Sequence, residues 1–162
     1  VPAAVLFDLA NGGTKAWGET PPYRDLGMAA LDACGASFEL GAAGAGYGAM
    51  AGQVRGGLGS ASTVSADGMS VGAVAAVNCF GSVRMPGSEA FWAWPYEQGG
   101  EFGGTRPPAD FALDADDWGA AKLNPAAMTG PANTTIACVA TDVRLSVGEA
   151  PLSPVVGPYM AA

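Results

Sequence analysis

Asn133-Thr134-Thr135-Ile136-Ala137-Cys138-Val139-Ala140-Thr141-Asp142 is the stretch on which the fold turns. Its threonines, isoleucine and valine are stiff at χ1 and pack well on a pleated surface, so the run predicts a strand. Gly130-Pro131-Ala132-Asn133 leads straight into it, which makes Thr134 the first residue of a rigid element after a flexible approach. Upstream, residues 60–84 alternate small, β-branched and polar positions. Ala66-Asp67-Gly68 reads as a turn between Ser62-Thr63-Val64-Ser65 and the apolar run from Val71 to Val77, which predicts a hairpin in a well-buried sheet.

Between these β blocks, Met85 to Pro131 is rich in Pro, Gly, aromatic and acidic residues, including Phe91-Trp92-Ala93-Trp94-Pro95-Tyr96 and Asp114 to Asp117. With little periodicity it reads as a long connection, whose aromatics need the body or a neighbour to cover them. Further upstream, Gly41 to Gly59 contains Gly-Ala-Gly-Tyr-Gly-Ala at 44–49 and Gly-Gly-Leu-Gly at 56–59. That density suits tight turns and close-packed strands. A dinucleotide fingerprint or a phosphate loop needs other spacings, so no cofactor is expected, and a glycine-loop ligand binder is the weakest alternative. Residues 20–35 predict a helix: Thr20 as cap, Pro21 and Pro22 first, Leu26, Ala29, Ala30 and Ala33 on one face, Gly35 as stop. Residues 3–9 form a short apolar run ending at Asn11-Gly12-Gly13, which predicts a buried strand containing Asp8. The tail after Gly148 carries Pro151, Pro154 and Pro158 and cannot continue as a regular helix.

The 162 residues, 49% of them hydrophobic, fit a single domain able to bury a core. Residues 1–84 would supply core strands, helix and Gly-rich segment, 85–133 the linker, and 134–162 a strand and tail. Gly 25 and Pro 12 make up about 23% of the chain, which indicates a folded but loop-rich protein. Seven Lys and Arg against 15 Asp and Glu leave a net charge of -8, which speaks against nucleic acid as a partner. No apolar run approaches the about 20 residues that span a bilayer, so no membrane partner is expected. The chain opens on Val1 without a charged and then apolar leader, as a fragment or processed chain would. Cys34, Cys79 and Cys138 stand far apart, as small buried hydrophobes in a reducing compartment would, and no metal site is expected.

The chain has no histidine, which removes Ser-His-Asp and Cys-His catalysis. A Thr hydroxyl is a poor nucleophile unless a neighbour takes its proton. One arrangement needs no imidazole. If the chain is cut just before a Thr, the freed α-amine, with an ordinary pKa of about 7.7–8, becomes the local base. Thr134, at the start of its strand, is placed for this. The same triplet Asn133-Thr134-Thr135 also reads as a polar turn, and it matches a glycosylation sequon.

Five segments taken together resemble the self-processing L-aminopeptidase/D-amidase-esterase (DmpA) family, which includes β-peptidyl aminopeptidases and nylon-oligomer endohydrolases. They are Pro2-Ala3-Ala4-Val5-Leu6-Phe7-Asp8, Gly44 to Ala49, Gly56-Gly57-Leu58-Gly59-Ser60-Ala61-Ser62, Val71 to Asn78, and Asn133 to Asp142. They occur in the family's order and cover residues 1 to about 145. The resemblance implies an α+β fold, an αββα four-layer sandwich of which this chain carries part. It also implies autocleavage between Asn133 and Thr134, with Thr134 as N-terminal nucleophile and Asn78 helping to hold the oxyanion. Phe7 falls where nylon-oligomer relatives carry Tyr, and Gln53 where they carry a site Lys, so both possible pocket positions lose polar chemistry.

The expected activity is hydrolysis of amide bonds in small peptides, aminoacyl amides or amide oligomers, in the cytoplasm, with the periplasm as the alternative. Family members have further strands before the segment that starts at Val1, and a helix and carboxylate-bearing strand after the nucleophile strand. A homo-oligomer, or completion by other chains, is therefore expected. The alternative is a non-catalytic structural or partner chain that keeps the sheet without a working site.

Overall fold

The computed structural model describes residues 4–114, 116–122 and 133–144. Helix α1 spans Tyr23–Asp32, and five strands follow among the described residues: β1 Met50–Ala51, β2 Val54–Arg55, β3 Gly57–Val64, β4 Ser70–Asn78 and β5 Thr134–Thr141, with 3-10 turns at Gly44–Gly46 and Trp94–Tyr96. β1 and β2 form a small antiparallel pair, and β3, β4 and β5 an antiparallel sheet with β4 in the centre. The described residues thus form a small mixed α/β structure built on antiparallel sheets.

The expected hairpin is present. Ser65 closes it, its N–H donating to the Met69 carbonyl at 2.9 Å while the Gly68 N–H reaches the Ser65 carbonyl at 2.9 Å. The register sets Leu58 opposite Ala76, and Ala76 opposite Ile136. At the far end of the β4–β5 pair, Asp142 accepts from the Ser70 N–H at 2.9 Å, and the Thr141 hydroxyl donates to the Ser70 carbonyl at 2.8 Å. These bonds pin the register, and a slip of one residue would send every β5 side chain to the opposite face.

Burial is concentrated at one end of the sheet. Ala76 and Asn78 are buried, whereas β3 from Gly59 onwards and β5 from Ala137 onwards are exposed. The well-buried sheet expected from the sequence is therefore buried only at the Asn78 end, because no described layer covers the rest. The Gly-rich region behaves as expected of close packing. A Cβ on Gly46 would lie 2.5 Å from the Leu58 nitrogen and 2.6 Å from the Gly57 carbonyl carbon, and one on Gly56 would strike the Val77 carbonyl oxygen.

Three local expectations are corrected. Helix α1 begins at Tyr23 with Pro22 in the cap position and no side-chain cap. Thr20 therefore stands before the cap position, out of the place from which a hydroxyl meets the first free N–H groups of the helix. None of its residues is buried. Residues 4–8 form no strand, because the Phe7 carbonyl is taken by the Asn78 side chain instead of a ladder partner. Cys34 and Cys138 are exposed, not buried, and all three cysteines are free.

The connection after β4 is organised. Phe91 stacks on Phe102 at 5.2 Å between ring centroids, and Trp92 meets Phe111 edge-on at 6.4 Å. The Glu97 carboxylate accepts from the backbone N–H groups of Phe102 at 2.7 Å and Gly104 at 3.0 Å. Arg106 lies 3.8 Å from the same carboxylate, donates to the Trp94 carbonyl at 2.6 Å and stacks 5.0 Å over the Trp94 ring. The Gly130-Pro131-Ala132 approach and the proline tail lie outside the described residues.

Candidate functional site

β4 ends at Asn78 and β5 begins at Thr134, and the register sets these two residues directly opposite each other. Opposed residues of an antiparallel pair project from the same face with Cβ atoms about 5 Å apart. Asn78 is fully buried, at 0% exposure, in a position where an unpaired amide would be costly. Its Oδ1 accepts from the Met50 N–H at 3.0 Å and from Lys122 Nζ at 3.1 Å. Its Nδ2 donates to the Phe7 carbonyl at 2.9 Å. One side chain thus ties together β1, the opening segment and the end of the connection.

Lys122 is the second centre of the site. Besides Asn78 Oδ1, its Nζ donates to Asn133 Oδ1 at 3.2 Å and to the Asn78 backbone carbonyl at 3.4 Å. Its own backbone is anchored, the Lys122 N–H donating to the Phe80 carbonyl at 2.9 Å. The two residues before it are held from β1–β2. The Gln53 N–H donates to the Ala120 carbonyl at 2.8 Å, the Gln53 side-chain amide to the Ala121 carbonyl at 3.2 Å, and Ala121 is completely buried.

Burial pulls the Lys122 ammonium below the ordinary lysine range, and the neighbouring Cys79 opposes the shift. Burial likewise pushes the Cys79 thiol up, against the pull of Lys122. Cys79 Sγ donates to the Gly81 carbonyl at 3.2 Å. Chemically, the arrangement sets Thr134 opposite a fixed amide and the Asn133 side chain on a cation, groups of the kind that can favour developing negative charge. Among the described residues, no group of three or more His, Cys, Asp or Glu side chains could hold a metal ion, and no helix is long and apolar enough to cross a membrane.

The structure therefore brings together Asn78, Asn133, Thr134 and the Phe7 backbone. The Phe7 side chain is 36% exposed and contributes through its carbonyl. Gln53 braces the connection, which is a structural task. Lys122 was not legible as a site residue. The available signal was that it is one of only two lysines, with Lys15, and follows two alanines able to pack closely.

The comparisons with known proteins agree with one another. The model of the family described as Peptidase family S58 matches residues 1–151. Uncharacterised aminopeptidases of Mycobacterium bovis and Mycobacterium tuberculosis are 38% identical to this chain over 148 residues, which is 90% of this chain and 40% of each relative. One from Mycobacterium leprae is 37% identical over 156 residues, 90% of this chain and 39% of the relative. The chain spans about two fifths of the length of these curated relatives.

Proposed function

The chain belongs to peptidase family S58, and from that membership we propose that it is the nucleophile-bearing part of a self-processing, N-terminal-nucleophile aminopeptidase or amidase. The observation that carries the reading is the pairing of Thr134, first residue of β5, with the buried Asn78. Thr134 Oγ1 attacks the Asn133 carbonyl carbon, the Asn133–Thr134 C–N bond breaks, and the hydroxyl proton ends on the departing Thr134 nitrogen. Water then hydrolyses the resulting ester, which releases the Asn133 carboxylate and restores the hydroxyl beside a free α-amine.

In turnover the same hydroxyl attacks the acyl carbonyl of a small peptide, aminoacyl amide or amide oligomer. The α-amine takes its proton and passes it to the leaving amine, and water cleaves the acyl-enzyme. Asn78 is assigned to the developing oxyanion, a role in which one amide donor contributes a few kcal/mol. The three-stranded sheet is read as part of an αββα sandwich. Exposed Val64 and Val139, each 67% accessible, support covering of its open portion by further chain or by other subunits.

The test is intact-mass and N-terminal sequence analysis of the purified full-length protein during incubation. A new chain starting at Thr134, together with Thr134-dependent release of amine from aminoacyl amides, is the expected result. A protein that stays uncut and turns over no amide substrate would leave the non-catalytic partner chain as the better reading.

A further inference from the structure

We propose that Lys122 is a positioning residue for cleavage of the Asn133–Thr134 bond: its amine, braced on Asn78, holds the Asn133 side chain and so fixes the carbonyl that Thr134 attacks. The inference rests on the self-cleavage reading above and adds to it a residue and a preference for what stands before the scissile bond.

The geometry makes Lys122 a bridge between the two sides of the reaction. Asn78 faces Thr134 across the β4–β5 register, and Lys122 Nζ joins Asn78 Oδ1 at 3.1 Å to Asn133 Oδ1 at 3.2 Å. The hydroxyl-bearing residue and the carbonyl-bearing residue are thereby referred to one buried side chain. An ammonium has three N–H donors and no acceptor. Here it meets three oxygens, the third being the Asn78 backbone carbonyl at 3.4 Å. All three acceptors are neutral, and among the described residues no carboxylate pairs with this cation. The ammonium's capacity is therefore spent on the two asparagines that flank the reaction.

The amine is also aimed from a fixed base. Ala120, Ala121 and Lys122 are bonded to Gln53 and Phe80 through their backbone, so Lys122 does not reach the junction from a free loop. Holding a reacting carbonyl in place is one of the largest sources of rate in an intramolecular reaction. Charge-assisted hydrogen bonds are the stronger kind available for it. Selection at this position follows. A side-chain oxygen before Thr134 accepts from Lys122, whereas an apolar side chain of the same size leaves the ammonium without one of its partners.

The experiment follows the appearance of the Thr134 chain by mass spectrometry in the full-length protein. It uses Asn133→Asp, which keeps a side-chain oxygen, and Asn133→Leu, which removes it, each with and without Lys122→Met. With Lys122 present, Asn133→Leu is expected to cut about tenfold more slowly than Asn133→Asp, the scale of one charged hydrogen bond. In the Lys122→Met background that ratio collapses towards one, the coupling expected of residues in direct contact. A ratio that persists without Lys122 would overturn the proposal and leave Lys122 as a tether of the connection. If Lys122→Met does not fold, the Asp/Leu ratio with Lys122 in place still decides, since equal rates overturn the proposal. If the unsubstituted protein itself never cuts, the self-cleavage reading falls, and this one with it.

Discussion

Asn78 and Thr134 stand opposite each other at the one end of the central sheet where side chains are buried, with Asn78 at 0% exposure. The far end of the same strand pair is closed by Asp142 and Thr141 on Ser70. The pairing is therefore held from both ends, and it fixes Thr134, not Thr135, as the residue opposite Asn78.

Replacement of Thr134 by Ala removes the proposed nucleophile while leaving the strand intact, because the neighbouring Thr135 keeps the β character. Cleavage before residue 134 is expected to stop, and Thr135→Ala to leave it running, both read from intact mass. A Thr134→Ala protein that still cuts at this bond would exclude the mechanism.

Asn78→Leu leaves the Met50 N–H and the Phe7 carbonyl without their side-chain partner in a part-buried place. Each orphaned group costs about 1–3 kcal/mol. A fall in urea-unfolding stability of at least that size is expected, together with loss of cleavage. An unchanged midpoint would contradict the network described here.

Two glycines of similar sequence context should respond differently to alanine. At Gly46 a Cβ comes within 2.5 Å of the Leu58 nitrogen, whereas at Gly59 it meets nothing within 4 Å. Gly46→Ala is expected to destabilise by about 1–3 kcal/mol, the usual scale of overpacking. Gly59→Ala should be neutral or slightly stabilising, since Gly weakens a strand interior. Thermal midpoints of the two variants decide the matter, and equal losses would refute the close packing.

The pH dependence of stability carries a signature of Lys122. Burial lowers its pKa, so the folded chain releases this proton at a lower pH than the unfolded chain. Below the folded value both states are protonated and the burial cost applies in full. As pH rises from there to the ordinary lysine value of about 10.4, the unfolded state binds more protons and the burial cost is progressively relieved, so stability rises. Cys79 opposes it, because its raised pKa makes the unfolded state lose its proton first. In a Cys79→Ser background, chemical-unfolding midpoints of the Lys122 protein should therefore gain on those of Lys122→Met as pH rises. A constant difference between the two would contradict the shift.

Thiol labelling separates the cysteines. Cys34 and Cys138 are exposed, and Cys79 is half-buried with its pKa raised by burial. Since the thiolate is the reactive form, an alkylating reagent near neutral pH is expected to modify Cys34 and Cys138 before Cys79, as peptide mass mapping would show. Early modification of Cys79 would argue against its burial.

Much of the architecture was legible because it is local. The hairpin from Gly57 to Asn78 and the strand from Thr134 announce themselves through β-branched residues and a Gly turn. The order of the motifs was enough to suggest the family. The lack of histidine and the place of Thr134 at the head of a strand raised its hydroxyl as a candidate beside a plain polar turn, and the family resemblance favoured the hydroxyl.

Other features depend on distant parts of the chain meeting, and no local pattern encodes them. Residues 4–8 look like a strand by apolar content, yet the Phe7 carbonyl goes to a side chain seventy-one residues away in sequence. Helix α1 has an apolar pattern, but none of its residues is buried. Lys122 is an unremarkable lysine in a linker until the backbone of Gln53 and Phe80 brings it to Asn78. Strands β3, β4 and β5 and the turn between β3 and β4 could be read from local runs, because backbone propensity is a property of single residues and short stretches, whereas β1 and β2 carried no such signal. That Asn78, Lys122 and Asn133 share one cluster with Thr134 emerged from the folded chain alone, since the pairing of a buried amide and an ammonium depends on which distant groups the fold leaves within hydrogen-bond reach.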